Sequence, residues 1–177
     1  CLLQGIRMIS VLSWSLGLLT FIVLVPVSIF FVQMLLACLP PRSQYLGHSL
    51  RPRVAVLVPA HDEAAIIRAT LASIAPQLLE GDRLLVVAAN CTDDTAQLAR
   101  DAGAEVVERF DSVLRGKGYA LDFGVRHLAE QPPEVVIVVD ADCQVGEGAI
   151  DCPARRYHQT PRPVQALYLM RAPGGAG

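Results

Sequence analysis

The sequence predicts an α/β fold: a mostly parallel sheet flanked by helices, preceded by one transmembrane helix. Three observations support this prediction. Residues 8–39 contain no charged side chain, four short runs rich in Val, Leu and Ile alternate with helical patterns, and a polar loop follows each run. Short apolar runs that alternate with helices are typical of strands buried on both faces of a parallel sheet.

The uncharged segment 8–39 is the predicted membrane anchor. A bilayer-spanning helix needs roughly 20 apolar residues, and this segment is longer than that. A cleaved signal peptide is the alternative, although its apolar core is shorter and follows a charged start. Arg7 precedes the segment and three arginines follow it by position 53, so the positive-inside bias places the C-terminal side in the cytosol. We therefore expect residues 1–39 to be a single-pass N-terminal anchor, in a bacterial inner membrane, with the α/β domain in the cytoplasm.

The first half of the α/β part alternates two strands with two helices. Residues 54–58 (VAVLV) and 84–88 (LLVVA) have the composition of buried strands. Between them, residues 64–79 carry apolar side chains at helical spacing. Residues 92–102 predict the second helix, with Thr92 as its N-cap and two acids in its first turn, where the helix dipole favours them.

The second half repeats this order. Residues 104–109 predict a third strand, 117–129 a third helix, and 135–139 (VVIVV) a fourth strand. Residues 164–170 (VQALYLM) are a candidate for one more strand.

Composition limits the classes of function. Residues 40–52 are a polar, Pro-rich linker, and residues 53–177 are long enough for one small domain. The net charge is −2, with 15 cationic residues scattered along the chain, so no nucleic-acid partner is expected. Five cysteines without a Cys-x-x-Cys pair predict neither a disulfide framework nor a zinc site, and reduced thiols in the cytosol fit best.

The loops after the four strands are the candidate functional segments, because ligands of such sheets bind beyond the carboxyl ends of the strands. These loops are PAHDE (59–63), ANCTDD (89–94), FDSVLRGKG (110–118) and DADCQ (140–144).

The most informative loop is the last one. Asp140 and Asp142 lie one residue apart after a buried strand, so both carboxylates are able to face one site. Paired oxygen ligands suit Mg²⁺ or Mn²⁺, which keep positions open for phosphate oxygens. The alternative is that one aspartate caps a turn and the other is solvated.

The other three loops are less specific when each is taken alone. In the segment 115–118 (RGKG), glycines allow close backbone approach and two cations favour an anion at a helix N-terminus, but a solvated loop fits as well. It lacks the spacing of a Walker loop, and no G-x-G-x-x-G occurs in the chain. The acids at 62–63 fit a helix start, His61 is not assigned a catalytic role, and Asn90 and Thr92 have the character of turn and cap residues.

Taken together, the four loops are specific. Their order, VAVLVPAHDE, LLVVAANCTDDTA, RGKGYAL and VVIVVDAD, resembles that of the family 2 glycosyltransferases with the GT-A fold, especially the membrane-anchored, polysaccharide-synthase-like branch. The resemblance covers residues 52–170, and the preceding anchor segment fits it.

The resemblance implies a nucleotide sugar, with UDP as the carrier, bound together with Mn²⁺ or Mg²⁺. Its sugar would pass to a glycan or lipid acceptor at a membrane, with inversion. The metal ligands implied are Asp140 and Asp142. The implied nucleotide-sugar-binding residues are Pro59, Ala60, His61, Glu63, Asn90, Lys117, Asp140 and Ala141, of which Pro59, Ala60 and Glu63 would line the nucleobase pocket.

The chain departs from the family pattern at three points. Ala89 stands where the family usually has an acid that contacts the base, and Asp62 stands where Asn is common. An inverting transferase needs a general base, which the family takes from well beyond the DxD motif. After Glu147 the sequence holds one acid, Asp151, which is too close to that motif, and no Q-x-x-R-W motif. We therefore expect this sequence to hold only the N-terminal, donor-binding part of the domain, with the base downstream.

Two other functions compete with this interpretation. A catalytically inactive, membrane-tethered module would bind the nucleotide sugar without turnover, and the missing base favours it. A nucleotidyltransferase with a related sheet would carry a Gly-rich signature straight after strand one, whereas residues 59–65 (PAHDEAA) contain no glycine.

Overall fold

The computed structural model describes residues 2–39, 50–166 and 168, with side chains from residue 13 onward. The chain forms two compact units, an N-terminal helix and an α/β unit. The elements are α1 (Leu2–Ala37), β1 (Val54–Ala60), α2 (Ile67–Ile74), β2 (Arg83–Ala89), α3 (Thr95–Asp101), β3 (Glu105–Arg109), α4 (Lys117–Leu128), β4 (Val135–Val138) and α5 (Asp151–Gln159). The predicted fold class is confirmed; the exact domain boundaries stay a prediction.

Helix α1 is long and apolar enough to cross a membrane. Its stretch Ser13–Ala37 has 25 residues, and the side chains of this stretch are all exposed. Apolar side chains such as Trp14 and Phe21 are exposed, and a lipid environment would remove their apolar surface from water. Length and composition fit an anchor and an N-terminal signal sequence alike.

The α/β unit contains a four-stranded sheet in the order β3-β2-β1-β4, and all three pairs of neighbours are parallel. Strand β1 is central, and all of its residues are buried except Pro59, which is half-buried near its carboxyl end. The loops after β2 and β4 therefore flank the loop after β1, which is what brings the candidate functional segments together.

Alternate residues of the central strands build two apolar layers, as the period of two along a strand requires. Val54, Val56 and Val58 face the layer of α2, α3 and α5, whose buried residues include Ile67 and Leu71. On the opposite face, a second cluster packs against α4; it consists of Ala55, Leu57, Leu85, Val87, Ala120 and Leu128.

Strand β4 is covered less completely than the sequence predicts. Val136 and Val138 lie beside Ala55 and Leu57 in the register, on the α4 face of the sheet. Their side chains are 39% and 46% exposed, because α4 packs over β1 and β2 instead. The expectation of a sheet covered on both sides thus holds for the central strands but is wrong for β4.

Helix α4 approaches the sheet closely at Gly124. A Cβ atom there would lie 2.5 Å from Cδ1 of Leu57 and 2.8 Å from Cγ2 of Val87. Both neighbours are fully buried, so they have little room to move. Glycine at this position therefore allows the helix to seat on the strands.

We expect Gly124→Ala to have a free energy of unfolding about 2 kcal/mol below that of Gly118→Ala, because overpacking a core costs roughly 1–3 kcal/mol. Gly118 is the control: it lies in the first turn of the same helix, and a Cβ atom there would meet nothing within 4 Å, so its replacement causes no overpacking. Urea denaturation in detergent, followed by circular dichroism, measures the difference. Equal stabilities would show that the core yields at this position.

Two predicted helices are shorter in the structure. The predicted helix 64–79 is α2 followed by a 3₁₀ turn at Ala75–Gln77, because Pro76 has no N–H to donate in an α-helix. The predicted helix 92–102 begins only at Thr95. The prediction that Thr92 is its N-cap is wrong, because Thr92 instead donates to Asp62.

The last part of the chain also differs from the prediction. Helix α5 was missed because its sequence, DCPARRYHQ, is mostly polar and buries only Ala154. Within the candidate strand 164–170, residues 164–166 and 168 are irregular, and the rest lies outside the described residues.

Candidate functional site

A cavity of about 590 Å³ lies at the carboxyl end of the sheet and is lined by residues from all four predicted loops. Every residue of the predicted nucleotide and metal sites lines it: Pro59, Ala60, His61, Glu63, Asn90, Lys117, Asp140, Ala141 and Asp142. The sequence patterns thus converge on one place, although their roles stay a prediction. Asp62, Ala89, Thr92, Arg115, Gly116 and Ala120 complete the lining.

The loops after β1 and β2 are joined by side-chain-to-backbone hydrogen bonds. His61 Nδ1 lies 2.8 Å from the carbonyl oxygen of Ala89, and since a carbonyl only accepts, Nδ1 carries the proton. An Asp62 carboxylate oxygen accepts from the Thr92 backbone N–H at 2.6 Å. Asp62 itself has φ 54°, a left-handed conformation that Asp tolerates better than most residues.

A second set of bonds fixes the start of α3. Asp93 accepts from the Thr95 hydroxyl at 2.5 Å and from the backbone N–H of Ala64 at 3.0 Å. The Thr95 hydroxyl in turn accepts from the Glu63 backbone N–H at 2.8 Å. These hydrogen bonds, with that from Thr95 first, hold the pKa of the Asp93 carboxyl below its usual value. They orient Glu63 at the cavity.

Asn90 joins the loops after β2 and β3. It is the other non-glycine residue with a left-handed backbone among the described residues, at φ 53°. Its side-chain oxygen accepts from the Asp111 backbone N–H at 2.7 Å, and its own N–H donates to the Arg109 carbonyl at 2.7 Å. The interpretation of Asn90 as a turn residue is therefore consistent with its place in the cavity wall.

Hydrogen bonds among its own residues and with Arg109 stabilise the loop before α4. Asp111 accepts from the backbone N–H groups of Leu114 and Val113, which lower the pKa of its carboxyl together with the nearby Arg109. The Arg109 guanidinium also bonds the Leu114 carbonyl at 2.7 Å and lies 5.7 Å from the ring centre of Tyr119. This framework supports the turn that delivers Lys117 at the first position of α4.

Lys117 and Asp140 form an ion pair across the cavity. Lys117 is the single lysine of the chain, and both side chains are about half exposed. A cation and a carboxylate that face each other at an open cavity are available to an incoming anion and an incoming metal respectively.

Asp140, Asp142 and Cys143 place one potential ligand atom each within 4.8 Å of one another. Asp142 is exposed, and the Cys143 thiol lies 3.6 Å from one of its oxygens. Burial, with the nearby carboxylates, raises the pKa of the Cys143 thiol. Two carboxylates with exposed oxygens are the donor set that Mg²⁺ and Mn²⁺ prefer, and these residues fit such an ion.

The residue that anchors this turn, Thr70, was not predicted from the sequence. The Thr70 hydroxyl, in α2, donates to the carbonyl of Ala141 at 2.5 Å, and both residues are almost fully buried. A threonine inside an amphipathic helix carries no signal of a partner 71 positions away. Thr70 therefore acts as a positioning residue for the Asp140–Asp142 turn.

We expect Thr70→Val to lower the free energy of unfolding by about 2 kcal/mol, because it leaves the buried Ala141 carbonyl without its partner. Thr70→Ser keeps the hydroxyl and should recover most of the loss. Thr160→Val is the control, since that exposed hydroxyl bonds the Arg156 carbonyl at 3.2 Å and its loss should cost under about 0.5 kcal/mol. Denaturant midpoints test the ranking, and an equal loss in both threonine-to-valine variants would contradict it.

The sequence family described as Glycosyl transferase family 2 matches residues 55–161, which is more than half of the chain. The parallel sheet and the cavity at its carboxyl edge agree with this match, and the chain belongs to glycosyl transferase family 2.

Individual relatives match the same region. The probable glycosyltransferase YdaM of Bacillus subtilis is 33% identical over 101 residues, covering 51% of this chain and 23% of that protein. Glucosyl-3-phosphoglycerate synthase of Mycobacterium tuberculosis is 38% identical over 96 residues, covering 50% of this chain and 28% of that enzyme. The matched region thus spans about a quarter of the length of these relatives.

Two solved structures give the structural comparison. The mannosyltransferase PcManGT of Pyrobaculum calidifontis, in complex with GDP-Man and Mn²⁺, has a TM-score of 0.58 at 23% identity, covering 75% of this chain and 39% of that one. The M. tuberculosis synthase with Mn²⁺, UDP and its product has a TM-score of 0.43 at 32% identity, covering 51% and 33%. The first of these confirms the GT-A type of fold.

Proposed function

We propose that this chain supplies the donor-binding part of a metal-dependent transferase, which moves a sugar from a nucleotide sugar, with UDP as carrier, to a glycan or lipid acceptor with inversion. One observation carries the proposal. Asp140 and Asp142 face the same cavity as the loops after β1 and β2, with Lys117 beside them. A family 2 glycosyltransferase needs this combination of a pocket for the base and charges for the diphosphate.

The cavity divides into an apolar and a charged end. Pro59 and Ala60 offer apolar contact to a nucleobase, and the Glu63 carboxylate offers an acceptor for its N–H groups. Asn90 extends the same wall. At the other end, Lys117 provides a positive charge for the diphosphate, at the start of a helix whose dipole also favours an anion.

Asp140 and Asp142 would hold the divalent cation, Mn²⁺ or Mg²⁺, and Ala141 between them keeps the turn in place through Thr70. When bound, the cation offsets negative charge on the departing nucleoside diphosphate. Asp140 is paired with Lys117 in the structure. When both ligands bind, Asp140 would contact the cation and Lys117 would contact the diphosphate instead.

Helix α1 is the basis for the proposed membrane location. Helix α1 would tether the unit to a bacterial inner membrane with the α/β unit on the cytoplasmic side. The general base for the acceptor would come from a part of the protein downstream of the Asp140–Asp142 motif.

Isothermal titration of UDP and GDP into the full chain in detergent, first with Mn²⁺ and then with EDTA, tests the proposal. We expect one site per chain, tighter for UDP, and at least about tenfold weaker without the cation. Absence of metal-dependent nucleotide binding would reject it. A radiolabelled UDP-sugar incubated with membranes then separates transfer from binding alone.

A further inference from the structure

His61, Asp62 and Cys91 form a second cluster of potential metal ligands, separate in sequence from Asp140 and Asp142. One ligand atom from each lies within 4.8 Å of the other two. They come from the loops after β1 and β2, so the fold brings them together from about 30 residues apart. The sequence contains no Cys-x-x-Cys pattern, so this cluster was not predicted from it.

We propose that these three residues bind a thiophilic divalent cation such as Zn²⁺, and that this ion closes the nucleobase end of the donor cavity. The second half of the inference rests on the proposed function. The first half stands on the geometry of the ligands and their supporting contacts.

The histidine is preset for ligation. Its Nδ1–H donates to the Ala89 carbonyl at 2.8 Å, which leaves Nε2 with a free lone pair. Nε2 lies 3.9 Å from Oδ2 of Asp62. Metal-binding histidines commonly donate their other ring N–H to a backbone carbonyl in this way, because the bond fixes both tautomer and ring orientation.

The carboxylate is oriented by a similar support. The backbone N–H of Thr92 donates to Asp62 Oδ1 at 2.6 Å, and the Thr92 hydroxyl lies 3.3 Å from both Asp62 oxygens. A carboxylate held by a backbone donor loses less rotamer freedom when it binds a metal. It keeps free lone pairs on Oδ2, the oxygen nearest to His61.

The sulfur determines which cation is selected. Cys91 is half-buried, and its thiol donates to the Ala60 carbonyl at 3.6 Å and also interacts with the Asp62 backbone and the Thr95 side chain. Burial, with the nearby carboxylates, raises the pKa of this thiol. Binding would replace its proton by the metal, with one proton released to solvent. A thiolate and an imidazole prefer Zn²⁺ over Mg²⁺ or Mn²⁺, whereas the oxygen pair Asp140 and Asp142 has the opposite preference. The two sites would thus take different ions.

The ligand count and the location suggest an inhibitory role. In a tetrahedral zinc site the ligand atoms lie roughly 3.5 Å apart, so small side-chain rotations close the present cluster. Three protein ligands leave a fourth position for water. His61 and Asp62 line the cavity near Pro59 and Glu63, so a hydrated ion there would occupy space that a nucleobase needs.

Co²⁺ is the spectroscopic probe for the site. Titrated into the full chain in detergent, it should give one equivalent of a thiolate-to-cobalt charge-transfer band, and Zn²⁺ should displace it. Cys91→Ser should abolish the band and His61→Ala should weaken Co²⁺ binding at least tenfold. Cys143→Ser is the matched control, a second half-buried cysteine beside carboxylates, and should keep the band. A band lost in Cys143→Ser but kept in Cys91→Ser, or no band in the wild type, would overturn the proposal.

Competition with a nucleotide tests the second half. We expect stoichiometric Zn²⁺ to lower the Mn²⁺-supported affinity for UDP at least tenfold in the wild type and under twofold in Cys91→Ser. If UDP binds with Mn²⁺ and no cobalt band forms, the zinc site alone is rejected. If the band forms but UDP never binds, the donor function alone is rejected. Simultaneous binding without mutual effect would reject the inhibitory role.

Discussion

Replacing Asp142 by asparagine is expected to lower the Mn²⁺-dependent affinity for UDP by about 100-fold. The amide has nearly the same volume and keeps one oxygen, but it removes a negative charge from a two-carboxylate site. The remaining carboxylate, Asp140, is also engaged by Lys117, so it has little capacity to hold the ion alone. Even disturbing the groups that support a metal ligand costs 10–100-fold, and Asp142 is a proposed ligand itself.

Asp122→Asn is the matched control for this effect. Asp122 is exposed and pairs with Arg126 one turn along α4, at 3.0 Å and outside the cavity lining. Such a surface pair contributes little, so UDP affinity should change less than twofold. With EDTA present, wild type and Asp142→Asn should bind UDP equally weakly. A loss below tenfold with Mn²⁺ would mean that the carboxylate of Asp142 does not hold the ion.

The strands and the edge of the sheet that carries the site were predictable from local sequence. Runs such as VAVLV at 54–58 are apolar at every position, which is typical of a doubly covered strand, and β1 and β2 are covered in this way. The rule that ligands bind at the carboxyl ends of parallel strands then selected four loops, and all four line one cavity.

The contacts between the loops were not predictable, because they join residues that are distant in the chain. Thr92 has the local character of a helix cap, yet Asp62, 30 residues earlier, takes its donors, and the helix starts at Thr95. Local side-chain bonds compete with helix formation at such positions, and the sequence does not show which partner wins. The Thr70–Ala141 hydrogen bond and the His61–Asp62–Cys91 cluster belong to the same class of long-range feature.

Helix α5 and strand β4 were misjudged for a related reason. The sequence of α5 lacks an apolar stripe because the helix presents a single buried residue, Ala154, to the sheet. Strand β4 carries the composition of a buried strand, yet Val136 and Val138 are exposed among the described residues. Composition shows how apolar a segment is but not which strands a helix covers, so the position of α4 over β1 and β2 was not predictable.

Lys117→Met is expected to change two affinities in opposite directions. Lys117 pairs with Asp140, so its removal frees a carboxylate oxygen, and Mn²⁺ alone should bind up to a few-fold more tightly. UDP in the presence of saturating Mn²⁺ should bind about tenfold more weakly, because a charge-assisted bond to the diphosphate is lost. Titrations of Mn²⁺ alone and of UDP with saturating Mn²⁺ measure the two effects separately.

Two further variants of α4 show whether the effect depends on charge at this position. Lys117→Arg retains the charge and should restore most of the UDP affinity, while Arg126→Met removes a cation that pairs with Asp122 outside the cavity lining and should change neither affinity by more than twofold. A lysine with a purely structural role would instead weaken both ligands together when replaced, since disorder of the loop would disturb Asp140 as well. If Lys117→Met binds Mn²⁺ more tightly and UDP more weakly, Lys117 exchanges the Asp140 carboxylate for the diphosphate when the donor binds. If both affinities fall, that exchange is contradicted.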